Sequence, residues 1–76
     1  MQVEVKSELG ANVWKVLVAP GQKVESDEAL VILECMKMEV PVLAPAAGTV
    51  VDVMVREGDA IDEGTTIATI DLAQDS

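Results

Sequence analysis

Few side chains in this sequence could do chemistry, and most of them fail on inspection. There is no histidine, so neither an imidazole base nor an imidazole metal ligand is available. One cysteine, Cys35, cannot build a thiolate cluster, and the glycines do not fall in a phosphate-cradling spacing. As a nucleophile Cys35 lacks a histidine partner and sits beside Glu34, whose charge disfavours a thiolate, so it reads as a small strand residue. The fourteen acidic residues are scattered over turn segments without the spacing of a Ca²⁺ loop and read as a solvated surface. Trp14, the sole aromatic, reads as core packing. That leaves Lys37, which interrupts an apolar, β-prone stretch over 29–43. Taken alone it reads as a strand lysine pointing to solvent while its neighbours pack.

Two features single Lys37 out. If 30–33 and 40–43 are the arms of a hairpin, its turn falls on 34–39, which contains no Gly, Asn, Asp or Pro. Local propensity would not put a turn there, and places where local rules fail are commonly functional. The second feature emerges when the chain is compared with itself at an offset of thirty-seven residues. Val13, Val16, Val18 and Gly21 then fall on Val50, Val53, Val55 and Gly58, and Leu30, Leu33 and Glu34 fall on Ile67, Ile70 and Asp71. Lys37 lies between the two halves, at a position where the second half offers only Ala73-Gln74.

The elements that must position this lysine are strands. Apolar runs recur at the spacing of an all-β chain, predicting strands near 3–5, 13–18, 30–33, 38–43, 49–55 and 66–72, with short additions at 23–24 and 60–61. Pro20-Gly21, Ser26-Asp27-Glu28, Ala46-Ala47-Gly48, Gly58-Asp59 and Glu63-Gly64 carry turn chemistry between them, and no segment holds a helical period. Each half is too small to bury its own apolar face, so the halves should interlock around a shared core with pseudo-twofold symmetry. That symmetry predicts that 3–5 pairs near 69–72, and that the Lys37 turn lies far from both termini with its amine unburied.

Composition narrows the partners. Seventy-six residues allow one domain, 1–76, and a chain of this size buries only about 60% of its unfolded surface, leaving no room for an enclosed catalytic cavity. The formal net charge of −9 argues against nucleic acid or an anionic membrane and favours a basic protein surface. A lone cysteine in so small a domain predicts an intracellular, cytoplasmic setting. No apolar run is long enough for a membrane-spanning helix, and the first residues lack a signal-peptide core. Residues 73–76 read as a short polar tail.

Glu34-Cys35-Met36-Lys37-Met38-Glu39 resembles the biotin-attachment motif of biotin-dependent carboxylases, whose core is Met-Lys-Met preceded by Glu and a small residue. The resemblance covers nearly the whole chain: Gly10 to Val18 is similar to the first long strand of the family, Pro20-Gly21-Gln22-Lys23-Val24 to its first turn, and Ala44-Pro45-Ala46-Ala47-Gly48-Thr49-Val50 to the segment after the biotinyl hairpin. Gly58-Asp59 with Ile61, and Thr65-Thr66-Ile67, also fit. The family implies the hammerhead fold, a flattened β-barrel or barrel-sandwich hybrid of two interlocked four-stranded sheets. It also implies a non-catalytic carrier whose Lys37 is biotinylated by a biotin protein ligase, with Met36 and Met38 flanking it as recognition residues and Glu34, Cys35 and Glu39 as hairpin context. Biotin so held would take a carboxyl group from a biotin carboxylase to a carboxyltransferase, and tethering would raise its effective concentration at both. Cys35 departs from the Ala or Ser common at its place, Glu8-Leu9 departs from a proline-containing lead-in, and 18–30 is too short for the protruding thumb of many bacterial acetyl-CoA carboxylase carriers. The nearest rival, a lipoyl domain, carries Asp-Lys-Ala where this chain has Met-Lys-Met. An unmodified hammerhead adaptor is the other alternative.

Overall fold

The computed structural model describes residues 1–72, and the polar tail expected at 73–76 lies outside them. Eight strands and no helix make up the described chain: β1 (Gln2–Lys6), β2 (Ala11–Val16), β3 (Lys23–Val24), β4 (Ala29–Cys35), β5 (Met38–Leu43), β6 (Gly48–Val53), β7 (Ala60–Ile61) and β8 (Thr66–Leu72). They form two four-stranded antiparallel sheets, ordered β1-β8-β6-β3 and β5-β4-β2-β7. Adding thirty-seven to the residue numbers of β2, β3 and β4 gives β6, β7 and β8, and the two sheet orders interchange under the same operation.

The repeat is obeyed down to single hydrogen bonds. Gly21 N donates to Val50 O at 2.7 Å, and Gly58 N donates to Val13 O at 2.7 Å; Asp27 N donates to Ala44 O, and Gly64 N to Ser7 O. These bonds cross between halves, so each half supplies the turn partners of the other and neither is complete alone. The alternation of side chains along a strand does the same for packing. Leu30, Val31 and Leu33 on β4 and Ile67, Ala68 and Ile70 on β8 are all fully buried, with Val13 and Val50 beside them. Burying each of the valine, leucine and isoleucine side chains contributes roughly 1.5–3 kcal/mol, which is how an aromatic-free core sustains the fold.

Trp14 corrects the sequence reading: it is 43% exposed and lies outside the core. Between Val13, paired with Leu33, and Lys15, paired with Ile32, the β2–β4 register shifts, and Trp14 is the extra residue. A bulge places two successive side chains on one face, so both Trp14 and Lys15 point outward, with the Lys15 ammonium 5.5 Å from the indole centroid. Strand β2 also runs over Ala11–Val16 rather than 13–18. Leu17 and Val18 continue the apolar run beyond the last paired residues, Val16 and Val31, with Leu17 N still donating to Leu30 O at 2.9 Å. Strand β1 pairs with β8 as the symmetry predicts, Val3 opposite Ile70 and Glu4 opposite Thr69.

Candidate functional site

The hairpin between β4 and β5 carries every residue of the predicted motif. Ladder pairing continues through Leu33–Val40 and Glu34–Glu39 to Cys35–Met38, which leaves Met36 and Lys37 as a two-residue loop. The sequence placed the turn only within 34–39; the register narrows it to these two. Both have left-handed backbones, Met36 with φ of 52° and Lys37 with φ of 67°. Positive φ at both central positions is the mark of the type I′ hairpin turn, whose twist matches that of the flanking strands and which normally calls for Asn-Gly or Gly-Gly. Here two long side chains take those positions, at a cost of roughly 1–2 kcal/mol each. Such strain persists only when surrounding structure enforces it and gathers at functional sites. The enforcing structure is the β4–β5 ladder, anchored below by buried Leu33 and Val31.

At the tip, Met36 is 90% and Met38 65% exposed, and Lys37 is exposed between them. Among the described residues the Lys37 side chain makes no hydrogen bond and no ion pair; the one ion pair among them joins the Met1 ammonium to Asp71, at 3.3 Å. Glu34 and Glu39 face outward one rung below the tip, and Cys35 is half-buried as the last residue of β4. The structure therefore brings Glu34, Met36, Lys37, Met38 and Glu39 to one end of one sheet, with Cys35 as a strand residue beneath. The arrangement suits presentation of an amine: it is unpaired, unburied and held at the end of a rigid ladder. Among the described residues no His/Cys/Asp/Glu group could hold a metal ion, and no helix is long and apolar enough to cross a membrane.

Residues 1–70 match the family model described as a biotin-requiring enzyme, the biotin/lipoyl domain. The chain belongs to the biotin/lipoyl family. Its fold, two antiparallel four-stranded sheets with no helix among the described residues, is that of a biotinyl domain, and members of the family act as carriers rather than as catalysts. The chain is 46% identical over 70 residues to a biotinylated protein TB7.3 homolog of Mycobacterium leprae, covering 92% of this chain and 99% of that one. It is 40% identical over 63 residues to a biotin/lipoyl attachment protein of Bacillus subtilis, covering 83% and 86%. Among solved structures, the Kluyveromyces lactis urea carboxylase superposes with a TM-score of 0.86 at 31% identity, over 92% of this chain and 6% of that much longer one. The resemblance read from the motif and the repeat is thus shown as family and as fold.

Sequence reading did not single out Ile32, Pro41 and Leu43, which share the outer face of this sheet with Glu34 and Glu39. The signal that marks them is the repeat itself, which sets them against Thr69, Glu4 and Lys6 in the other half.

Proposed function

We infer that this chain is a biotin carboxyl carrier whose Lys37 is acylated by a biotin protein ligase and then visits a biotin carboxylase and a carboxyltransferase in turn. The observation that carries the reading is the tip of the β4–β5 hairpin: an unpaired, exposed Lys37 on a left-handed backbone between two exposed methionines. The residues fit the group. Acylation needs a free ε-amine that can lose a proton and form an amide with an activated carboxyl, and among the described residues nothing is bonded to that amine. Met36 and Met38 give the ligase an apolar, adaptable surface on either side of the nucleophile. Biotin, when bound, supplies a ureido nitrogen that carries the carboxyl group. The ladder beneath holds the base of the arm still while the lysine side chain moves, so search volume is set by the arm alone.

Similarity to a biotinylated protein and to a urea carboxylase supports biotin as the group and a carboxylase as the setting. The family also includes lipoyl carriers, and the Met-Lys-Met triplet is what favours biotin over lipoate here. Offering the purified chain biotin ligase with biotin and ATP, and in parallel lipoate ligase with lipoate and ATP, separates the two by intact mass. A biotin increment and no lipoyl increment is the expected result. The reverse would assign the chain to lipoyl transfer, and no increment in either would leave the adaptor reading.

A further inference from the structure

The pseudo-twofold supplies an internal control for every outward-facing residue, because each position in one sheet has a structural equivalent in the other. On β4 and β5 the core-facing side chains are Leu30, Val31, Leu33, Val40 and Val42, so Ile32, Pro41 and Leu43 lie on the opposite, outer face. Pro41 pairs with Ile32, and Ile32 with Lys15, next to outward-pointing Trp14. Their equivalents thirty-seven residues away are Thr69 for Ile32, Glu4 for Pro41, Lys6 for Leu43 and Val51 for Trp14. Exposure class agrees within each pair: Ile32 and Thr69 are intermediate, and the other six residues are exposed. The fold therefore does not need apolar side chains at the places of Ile32, Pro41 and Leu43. One outer face is threonine, glutamate, lysine and valine, while the face that carries Lys37 is isoleucine, proline, leucine and tryptophan. The apolar patch runs on into a groove of about 420 Å³ at the seam of β1 and β5, lined by Leu33, Val40 and Val42 and, on the β1 side, by Glu4, Lys6 and Glu8.

Charge differs between the faces as well. Asp71, the equivalent of Glu34, has a cation: the Met1 ammonium at 3.3 Å. Glu34 and Glu39 stand directly opposite one another with no cation bonded to either among the described residues. Lys15, paired with Ile32 across the ladder, has its ammonium over Trp14. Like charges facing each other destabilise a ladder, and a basic partner would reverse the sign of that term.

We propose that the outer face of the β5-β4-β2-β7 sheet is the docking surface for the ligase that acylates Lys37, and that the ligase presents an apolar patch with basic side chains toward the hairpin end. The inference rests on the carrier reading above. An enzyme acting on the bare lysine has only protein surface to grip, and must choose Lys37 over Lys6, Lys15 and Lys23 by that surface; enzymes that act later can grip the arm itself. Apolar contacts centred on Ile32, Pro41 and Leu43 supply affinity, and Glu34 and Glu39 steer approach.

The test gives this face the side chains of its own symmetry mate: Ile32→Thr, Pro41→Glu and Leu43→Lys together, with Val51→Thr and Thr69→Ser on the other sheet, outside the groove, as control. Steady-state biotinylation by ligase, biotin and ATP is followed by mass, and folding by thermal melting. Expected is a kcat/KM at least about tenfold lower for the triple variant, equal to roughly 1.4 kcal/mol, carried by KM, with kcat and the final yield on Lys37 unchanged and the control at parental values. If the triple variant does not fold, Leu43→Lys alone, at an exposed position, must still raise KM. A second pair, Glu34→Gln with Glu39→Gln, must flatten the dependence of kcat/KM on ionic strength. Parental kcat/KM in the triple variant, with biotin still on Lys37, overturns the docking surface and leaves the carrier function standing. A parent chain that takes no biotin at all removes both. A parent that dimerises in sedimentation, and a triple variant that does not, would assign the face to a second copy of this chain instead.

Discussion

Glu34 on β4 faces Glu39 on β5 one rung before the Cys35–Met38 pair that closes the hairpin. Opposed carboxylates on an exposed ladder cost stability, so something other than stability keeps them there. Glu39→Gln is expected to raise stability by about 0.2–1 kcal/mol, visible as a higher urea midpoint at unchanged m-value and lost again in high salt. A fall in the midpoint would show that the carboxylate pair stabilises the hairpin by a contact beyond the ladder.

The left-handed backbone at Met36 makes a separate prediction. Met36→Gly removes the steric cost of φ at 52° and should stabilise the chain by about 0.5–1 kcal/mol, while slowing ligation because the side chain beside the amine is gone. Met36→Leu and Met38→Leu keep the backbone cost and sit on an exposed tip, so stability should move by no more than roughly 0.5 kcal/mol while ligation rates change. Loss of stability in the leucine variants with parental rates would make the methionines packing residues.

Much of this architecture was legible in the sequence because the repeat imposes it twice. Val13, Leu33, Val50 and Ile70 occupy matching places in the two halves and are all buried, and the offset that aligns them also aligns the strands. What misled was local. Trp14 looks like core because it is large and apolar, yet one extra residue in β2 turns it outward, and a bulge leaves no reliable trace in side-chain pattern. The hairpin was bracketed rather than placed, since Met36 and Lys37 adopt positive φ without any residue that prefers it. The same is true of Asp27, with φ of 66°, whose equivalent in the second half is Gly64, with φ of 88°; there the repeat reveals what the local sequence hides.

Gly48 and Ala11 hold equivalent positions, at the starts of β6 and β2. They are not interchangeable, because a Cβ at Gly48 would run into the Asp71 carbonyl oxygen and come within 2.9 Å of Ile70 Cγ2. Gly48→Ala should therefore cost about 1–3 kcal/mol through overpacking against β8, read from the thermal midpoint. Ligation by excess ligase at low temperature should remain intact, since β8 lies in the other sheet from the hairpin. A neutral Gly48→Ala would mean that β6 and β8 sit further apart than described.

The central claim is that one amine on this chain, that of Lys37, is the acceptor of biotin. Incubating the chain with biotin ligase, biotin and ATP to completion, then mapping the modified peptide by mass spectrometry, tests it most directly, with Lys37→Arg alongside because a guanidinium keeps the charge but not the nucleophile. The account predicts one biotin per chain, all of it on Lys37, and none on a folded Lys37→Arg variant. Biotin on Lys6, Lys15 or Lys23 of the parent, or an unmodified parent under conditions that fully load a known carrier, would contradict it.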